Sequence, residues 1–307
     1  MGELRMNTMT LLTTSKYRWG EAILRQLFFL CALISVLTTV IVIGILAVET
    51  SSFFQQVSIT DFLFGTEWRP MLEPKAYGIL PLLGGTMLIV VGSSIVALPV
   101  GLACAVYLSE YASDRARNII KPVLEVLAGI PTVVYGYFAI SFVTPGLRFV
   151  FDDVQIFNAA SAAIVVGIMV LPMVASLCDD ALRSVPLSLR EGAYSVGATS
   201  YEVTARVVVP AALSGIFAAF VLAVSRAIGE TMAVTLAAGA TPNLTLNPLE
   251  SIQTMTAYIV QVSLGDTPSG GLAYKTLFAV ASVLFTITLV MNLLANKVMR
   301  KYQEVYE

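Results

Sequence analysis

Apolar residues in this chain run in long unbroken blocks rather than in alternation or in stripes. A helix needs about 20 apolar residues to cross the hydrocarbon core of a bilayer. Six blocks qualify, at roughly 24–48, 79–108, 121–143, 158–178, 207–240 and 273–296. The pattern predicts an all-α membrane protein with six transmembrane helices. The second block runs about 30 residues, or ~45 Å at 1.5 Å per residue, so it is expected to tilt or project, and Pro81 and Pro99 can bend it. The first is too long for the apolar core of a signal peptide, and the "GILAVETSS" at its end is a poor cleavage site, so a retained helix is expected. Ser93, Ala97, Gly101 and Ala105 form a small-residue stripe at every fourth position, a pattern that lets another helix approach closely. Pro131, Pro172 and Pro210 lie in or at the edges of other blocks. Each frees a backbone carbonyl, which must then face protein or water rather than lipid.

The polar intervals orient the spans. Lys and Arg gather in the N-terminal tail (Arg5, Lys16, Arg18), the second interval (Arg115, Arg117, Lys121), the fourth (Arg183, Arg190, Arg206) and the C-terminal tail (Lys297, Arg300, Lys301). The odd intervals carry few. By the positive-inside rule both termini are expected in the cytoplasm, which six spans allow. Two outer intervals are large. Residues 49–77 include "ITDFLFGTEWRP", and residues 241–272 include "SIQTMTAYIVQVSLG", too short to span and expected to be an interfacial or re-entrant helix. They are either loops packed on the membrane surface or a docking face for an external partner. The expected division is 1–76 for tail, first helix and first outer loop, 77–297 for a transmembrane core with a cytoplasmic loop at 188–210, and 298–307 for a cytoplasmic tail.

Composition agrees. The chain is 57% hydrophobic and 12% charged, against about 25% charged in soluble proteins. Its formal net charge of −2 gives no hint of nucleic acid, and lipid is the expected environment. It has no histidine, the commonest metal ligand and the usual general base, so neither a metal site nor a catalytic residue is expected. Cys31, Cys104 and Cys178 sit in or at the ends of apolar blocks and read as small apolar residues rather than a disulfide framework. No G-x-x-x-x-G-K-[ST] occurs, so the chain carries no phosphate-cradling loop for a nucleotide and no cofactor of its own is expected.

Two polar stretches carry the chemistry. The fourth inner interval reads "SLREGAYSVGATSYEVTARVVVPAALSGI". A short helix near 188–195, a turn at Gly197 and a second helix near 199–206 are expected, lying across the membrane face. The other stretch, "SRAIGET", puts Arg226 and Glu230 inside an apolar block. At i,i+4 spacing they are expected on one helix face. Arg226 lies sixteen residues past Pro210, or ~24 Å along a straight helix, and so is expected beyond the midplane toward the outside. A charge there costs at least about 2.5–3.5 kcal/mol and must find a cavity or a partner. Either the two form a structural ion pair, or Arg226 offers its guanidinium to an oxyanion while Glu230 offsets the charge.

In the inner interval Glu191, Gly192 and Ala193 are followed by Gly197 at the fourth position, then by Val207, Val209 and Pro210. This spacing resembles the EAA motif of ABC-importer permeases, with Gly192 and two valines as mild departures. "LPLLGGTMLIVVGSSIVALPVGLACAVYLSEYAS", "IKPVLEVLAGIPTVVYGYFA" and "SRAIGETMAV" are similar to the PstC family of phosphate-importer permeases, over about residues 60–300. The resemblance implies a type I ABC importer (MetI-like) permease fold. It implies a heterodimer with a PstA-like permease, a PstB-like ATPase dimer holding ATP and Mg, and a PstS-like phosphate-binding protein outside. It also implies coupling to that ATPase through Glu191, Gly192, Ala193, Gly197 and Pro210, and a substrate path at Arg226 and Glu230. A proton-coupled secondary anion transporter, with Glu230 as proton carrier, is the alternative.

Overall fold

In lipid a backbone must satisfy its own N–H and C=O groups, and the helix does this within one segment. The apolar blocks accordingly fold as helices in the computed structural model, which describes residues 19–265, 267–268 and 270–302. The elements are α1 (Trp19–Phe54), α2 (Ile59–Phe64), β1 (Trp68–Arg69), β2 (Ala76–Tyr77), α3 (Leu80–Val106), α4 (Asp114–Ala128), α5 (Thr132–Phe138), α6 (Thr144–Arg148) and α7 (Ala159–Arg183). Then come α8 (Leu187–Ser195), α9 (Ser200–Val203), α10 (Val209–Ala211), α11 (Leu213–Ile228), α12 (Met232–Ala238), α13 (Met255–Leu264) and α14 (Leu272–Tyr302). Three π-helical turns, Tyr107–Tyr111, Ala139–Val143 and Thr204–Val208, are spliced in after α3, α5 and α9. Residues 1–18 and 303–307 of the expected tails lie outside the described residues.

Among the described residues four segments are long and apolar enough to cross a membrane: Gly20–Phe54, Leu80–Tyr111, Ala159–Arg183 and Leu272–Lys297. The blocks expected at 121–143 and 207–240 are not straight spans. Asp114–Ala128 meets Thr132–Arg148 at 90°, and Ser200–Ala211 meets Leu213–Ile228 at 68°. Counting each bent pair once gives six spans. Pro131 accounts for the first bend. It has no N–H to give to the carbonyl of Leu127 and disfavours helix in the residue before it. The Tyr135 hydroxyl donates to that Leu127 carbonyl instead, at 2.8 Å.

The chain divides into two compact units, 1–48 and 49–307. In the first, α1 is apolar all round and almost wholly exposed, with Phe28 at 68% and Val48 at 65%. Such a helix belongs in lipid or against another protein. The second unit is built on α3 against α7. The stripe Ser93, Ala97, Gly101 and Ala105 is buried throughout. A methyl on Gly101 would lie 2.6 Å from the Val174 side chain, and one on Gly167 2.9 Å from Val96. The two backbones approach because these residues have nothing to put between them.

At the start of α3 an aromatic cap closes the unit. Phe53, Phe62, Trp68 and Tyr258 meet edge-on in sequence, with centroids 5.5, 6.2 and 4.9 Å apart. β1 and β2 pair antiparallel, Trp68 opposite Tyr77. The short helix expected inside 241–272 is α13, one side of it buried in this cap. Thr276 donates to the Ala273 carbonyl, so the Tyr258 phenol, 2.6 Å away, donates to Thr276. Burial pushes that phenol up to about 12.

Candidate transport path and coupling surface

Arg226 lies in the last turn of α11, on the wall of a cavity of about 320 Å³. Lys121 and Glu125 of α4 and Met169, Pro172 and Asp179 of α7 line the same space. Arg226 is exposed there, and among the described residues it makes no ion pair or hydrogen bond. Its neighbour Ala227 shares a small gap with Ser93, Ala97 and Val170. Arg226 is therefore level with the centres of α3 and α7, not beyond them as expected from a straight helix. The 68° bend before Leu213 is the reason, because the residues before it do not add to the rise.

The expected shared face of Arg226 and Glu230 does not exist. α11 stops at Ile228, and Thr231 (φ −120°, ψ −63°) stands outside helical geometry before α12 begins. Gly229 is a weak helix former, and the polar groups after it are used locally. Glu230 is 9% exposed. Its Oε1 accepts from the Ala233 N–H at 3.2 Å, serving the first turn of α12. Its carbonyl accepts from the Thr256 hydroxyl at 2.7 Å, which ties the break to the start of α13. So Arg226 and Glu230 are brought near in sequence but given separate tasks.

At the far end of α3 and α7 lies an ionic cluster that the sequence reading missed. The Asp179 carboxylate, 1% exposed, meets Arg117 at 2.9 Å, Arg183 at 3.0 Å and Lys121 at 3.7 Å. Glu110 accepts from Nη1 of Arg190 with both oxygens, each at 2.7 Å. A buried carboxylate needs such partners. The signal in the sequence was an acid at the end of each of two apolar blocks facing Arg-rich intervals.

The polar interval after α7 folds as its spacing implies. α8 ends at Ser195, and Gly197 takes φ +87°, the left-handed turn that glycine adopts without strain. The Ala198 N–H donates to the Ala193 carbonyl at 3.2 Å, closing the end of α8. Thr199 and Glu202 then form a capping box that starts α9. Glu191 and Gly192 are exposed, and Ala193 is half-buried against the core. Pro210 is exposed on α10, after the π turn. At the tip Val196 is 83% and Tyr201 73% exposed, an apolar surface on a polar hairpin.

The family model of the binding-protein-dependent transport system inner membrane component matches residues 97–303. The chain belongs to this family. A probable ABC transporter permease of Bacillus subtilis, YqgH, is 33% identical over 272 residues, 88% of each chain. The phosphate transport permease PstC of Haemophilus influenzae is 30% identical over 310 residues, 93% of this chain and 95% of its own. PstC 1 of Mycobacterium tuberculosis is 33% identical over 275 residues, 78% and 81%. The permease is thus of the PstC type, and it is a multi-pass cell-membrane protein. Among solved structures, a bacterial importer of the polysaccharide alginate matches with a TM-score of 0.64 at 17% identity, over 93% of this chain and 99% of that one. The inward-facing MetNI methionine transporter matches at 0.56 and 16%, over 76% and 100%. These establish the fold, which is the expected MetI-like importer permease.

Proposed function

We infer that this permease is the PstC-type membrane subunit of an ATP-driven importer of inorganic phosphate. The carrying observation is its likeness to phosphate permeases along nearly the whole chain. The site supports the reading. Arg226 is an exposed guanidinium level with the centres of α3 and α7, with no carboxylate on it among the described residues, and its fork suits a phosphate oxyanion. Glu230 shapes the path beside it by holding the start of α12. A conduction step needs binding that can also be released, and Arg226, in no ion pair among the described residues, suits that.

The rest of the reading follows from the family. The core at 77–297 would pair with a PstA-like permease. A PstB-like ATPase dimer would hold ATP and Mg, and this chain would have no ATPase site of its own. The hairpin at 188–210, with Glu191, Gly192, Ala193, Gly197 and Pro210, would sit on that ATPase, with both termini in the cytoplasm. A PstS-like phosphate-binding protein would dock on the aromatic cap outside.

Reconstitution into proteoliposomes with those partners tests it. Phosphate uptake is expected to need ATP. Arg226→Leu is expected to abolish uptake, a loss of ~100-fold or more as for a lost charge-assisted contact, with the complex still assembled. Normal uptake by that variant would refute the role of Arg226. Uptake driven by a pH gradient without the ATPase would favour the proton-coupled alternative.

A further inference from the structure

α8 contains no fully buried residue, so apolar packing alone does not fix it to the membrane core. Besides its three-residue link to α7 and the partial burial of Ala193, one side chain holds it there. Arg190 donates from Nη1 to both oxygens of Glu110 at 2.7 Å, and from Nη2 to the Leu182 carbonyl at 2.8 Å. Glu110 lies on the π turn that ends α3, and Leu182 on the last turn of α7. A single guanidinium thus joins α8 to the ends of both long helices. The joint is screened from water, with Arg190 15% and Glu110 8% exposed. Ser109 adds a hydroxyl hydrogen bond to Glu110 at 2.7 Å, which fixes the carboxylate in place. The π turn is the reason Glu110 points there. The Ala112 N–H reaches back five residues to the Tyr107 carbonyl at 2.8 Å, and such turns recur at functional sites.

We propose that Arg190 and Glu110 are positioning residues that transmit movement of α8 to α3 and α7 as one body. The inference rests on the reading that α8 meets the ATPase. The bond to the Leu182 carbonyl caps the last turn of α7, which residues 184–186 already join to α8, so the attachment that only this side chain makes is to Glu110, 80 positions away. With the clamp cut, α8 can still be carried by the ATPase and still pulls on α7 through residues 184–186, but α3 no longer follows it.

The experiment measures phosphate taken up per ATP hydrolysed by the reconstituted complex, with co-purification of the ATPase scored separately. Glu110→Gln and Arg190→Gln are expected to retain the ATPase and to raise ATP spent per phosphate about tenfold, within the range usual for coupling between two sites. Arg190→Lys keeps the charge but lacks the fork, so an intermediate ratio is expected. An unchanged ratio in the two Gln variants would overturn the proposal. Should those variants lose the ATPase, Arg190→Lys decides alone, and a normal ratio in it overturns the proposal. Failure of the unaltered chain to hold the ATPase would instead count against the underlying reading.

Discussion

Arg226 and Glu230 show how much four residues of spacing can and cannot say. Two charges in an apolar block were legible as the point of interest. The shared helix face that the spacing suggests does not form, because Gly229 and the capping demand of α12 end the helix between them. The difference is measurable. Glu230→Ala removes the acceptor for Ala233 and is expected to cost about 1 kcal/mol, as for a lost helix cap. Glu230→Gln keeps an acceptor oxygen and is expected to cost much less. Thermal unfolding of the purified permease in detergent would compare them. Equal losses would mean that the charge of Glu230, not its cap, is what the fold uses.

At the scale of elements, composition and block length revealed the four continuous spans, because a lipid-crossing helix is specified by little else. The bends were signalled by Pro131 and Pro210 but not sized. A proline says where a helix can yield, while the angle is set by what packs against it. The small-residue stripe was legible as a packing face, and α7 proves to be its partner. Gly101→Leu is expected to destabilise by about 1–3 kcal/mol, since its side chain would run into Val174. Gly44→Leu, which meets nothing within 4 Å, is the matched control and should leave the unfolding midpoint unchanged.

For the molecule as a whole, the hairpin at 188–210 was readable because all its parts are local: a turn glycine, a capping box and an exposed acid. The clamp and the Asp179 cluster were not, since they join residues 80 and 62 positions apart. Sidedness is the global claim still open to direct measurement. A cysteine placed at Val196 should react with an impermeant thiol reagent only from the ATPase side, and one at Met71 only from the opposite side, each in a background with Cys31, Cys104 and Cys178 replaced. Labelling of both from one side would invert the assignment of the cap.

The π turn at Tyr107–Tyr111 carries a consequence for how such a permease can vary over time. A π turn is an α-helix that has taken in one residue, and the wider turn absorbs it, so the residues displaced are those within the turn. Losing one residue there would close the turn to α geometry, and Glu110, which lies within it, would leave the place from which it meets Arg190. The segment should therefore accept changes of letter at Tyr107, Leu108 and Tyr111 far more readily than a change of length, and gaps are expected to be rarer across it than its ordinary composition suggests.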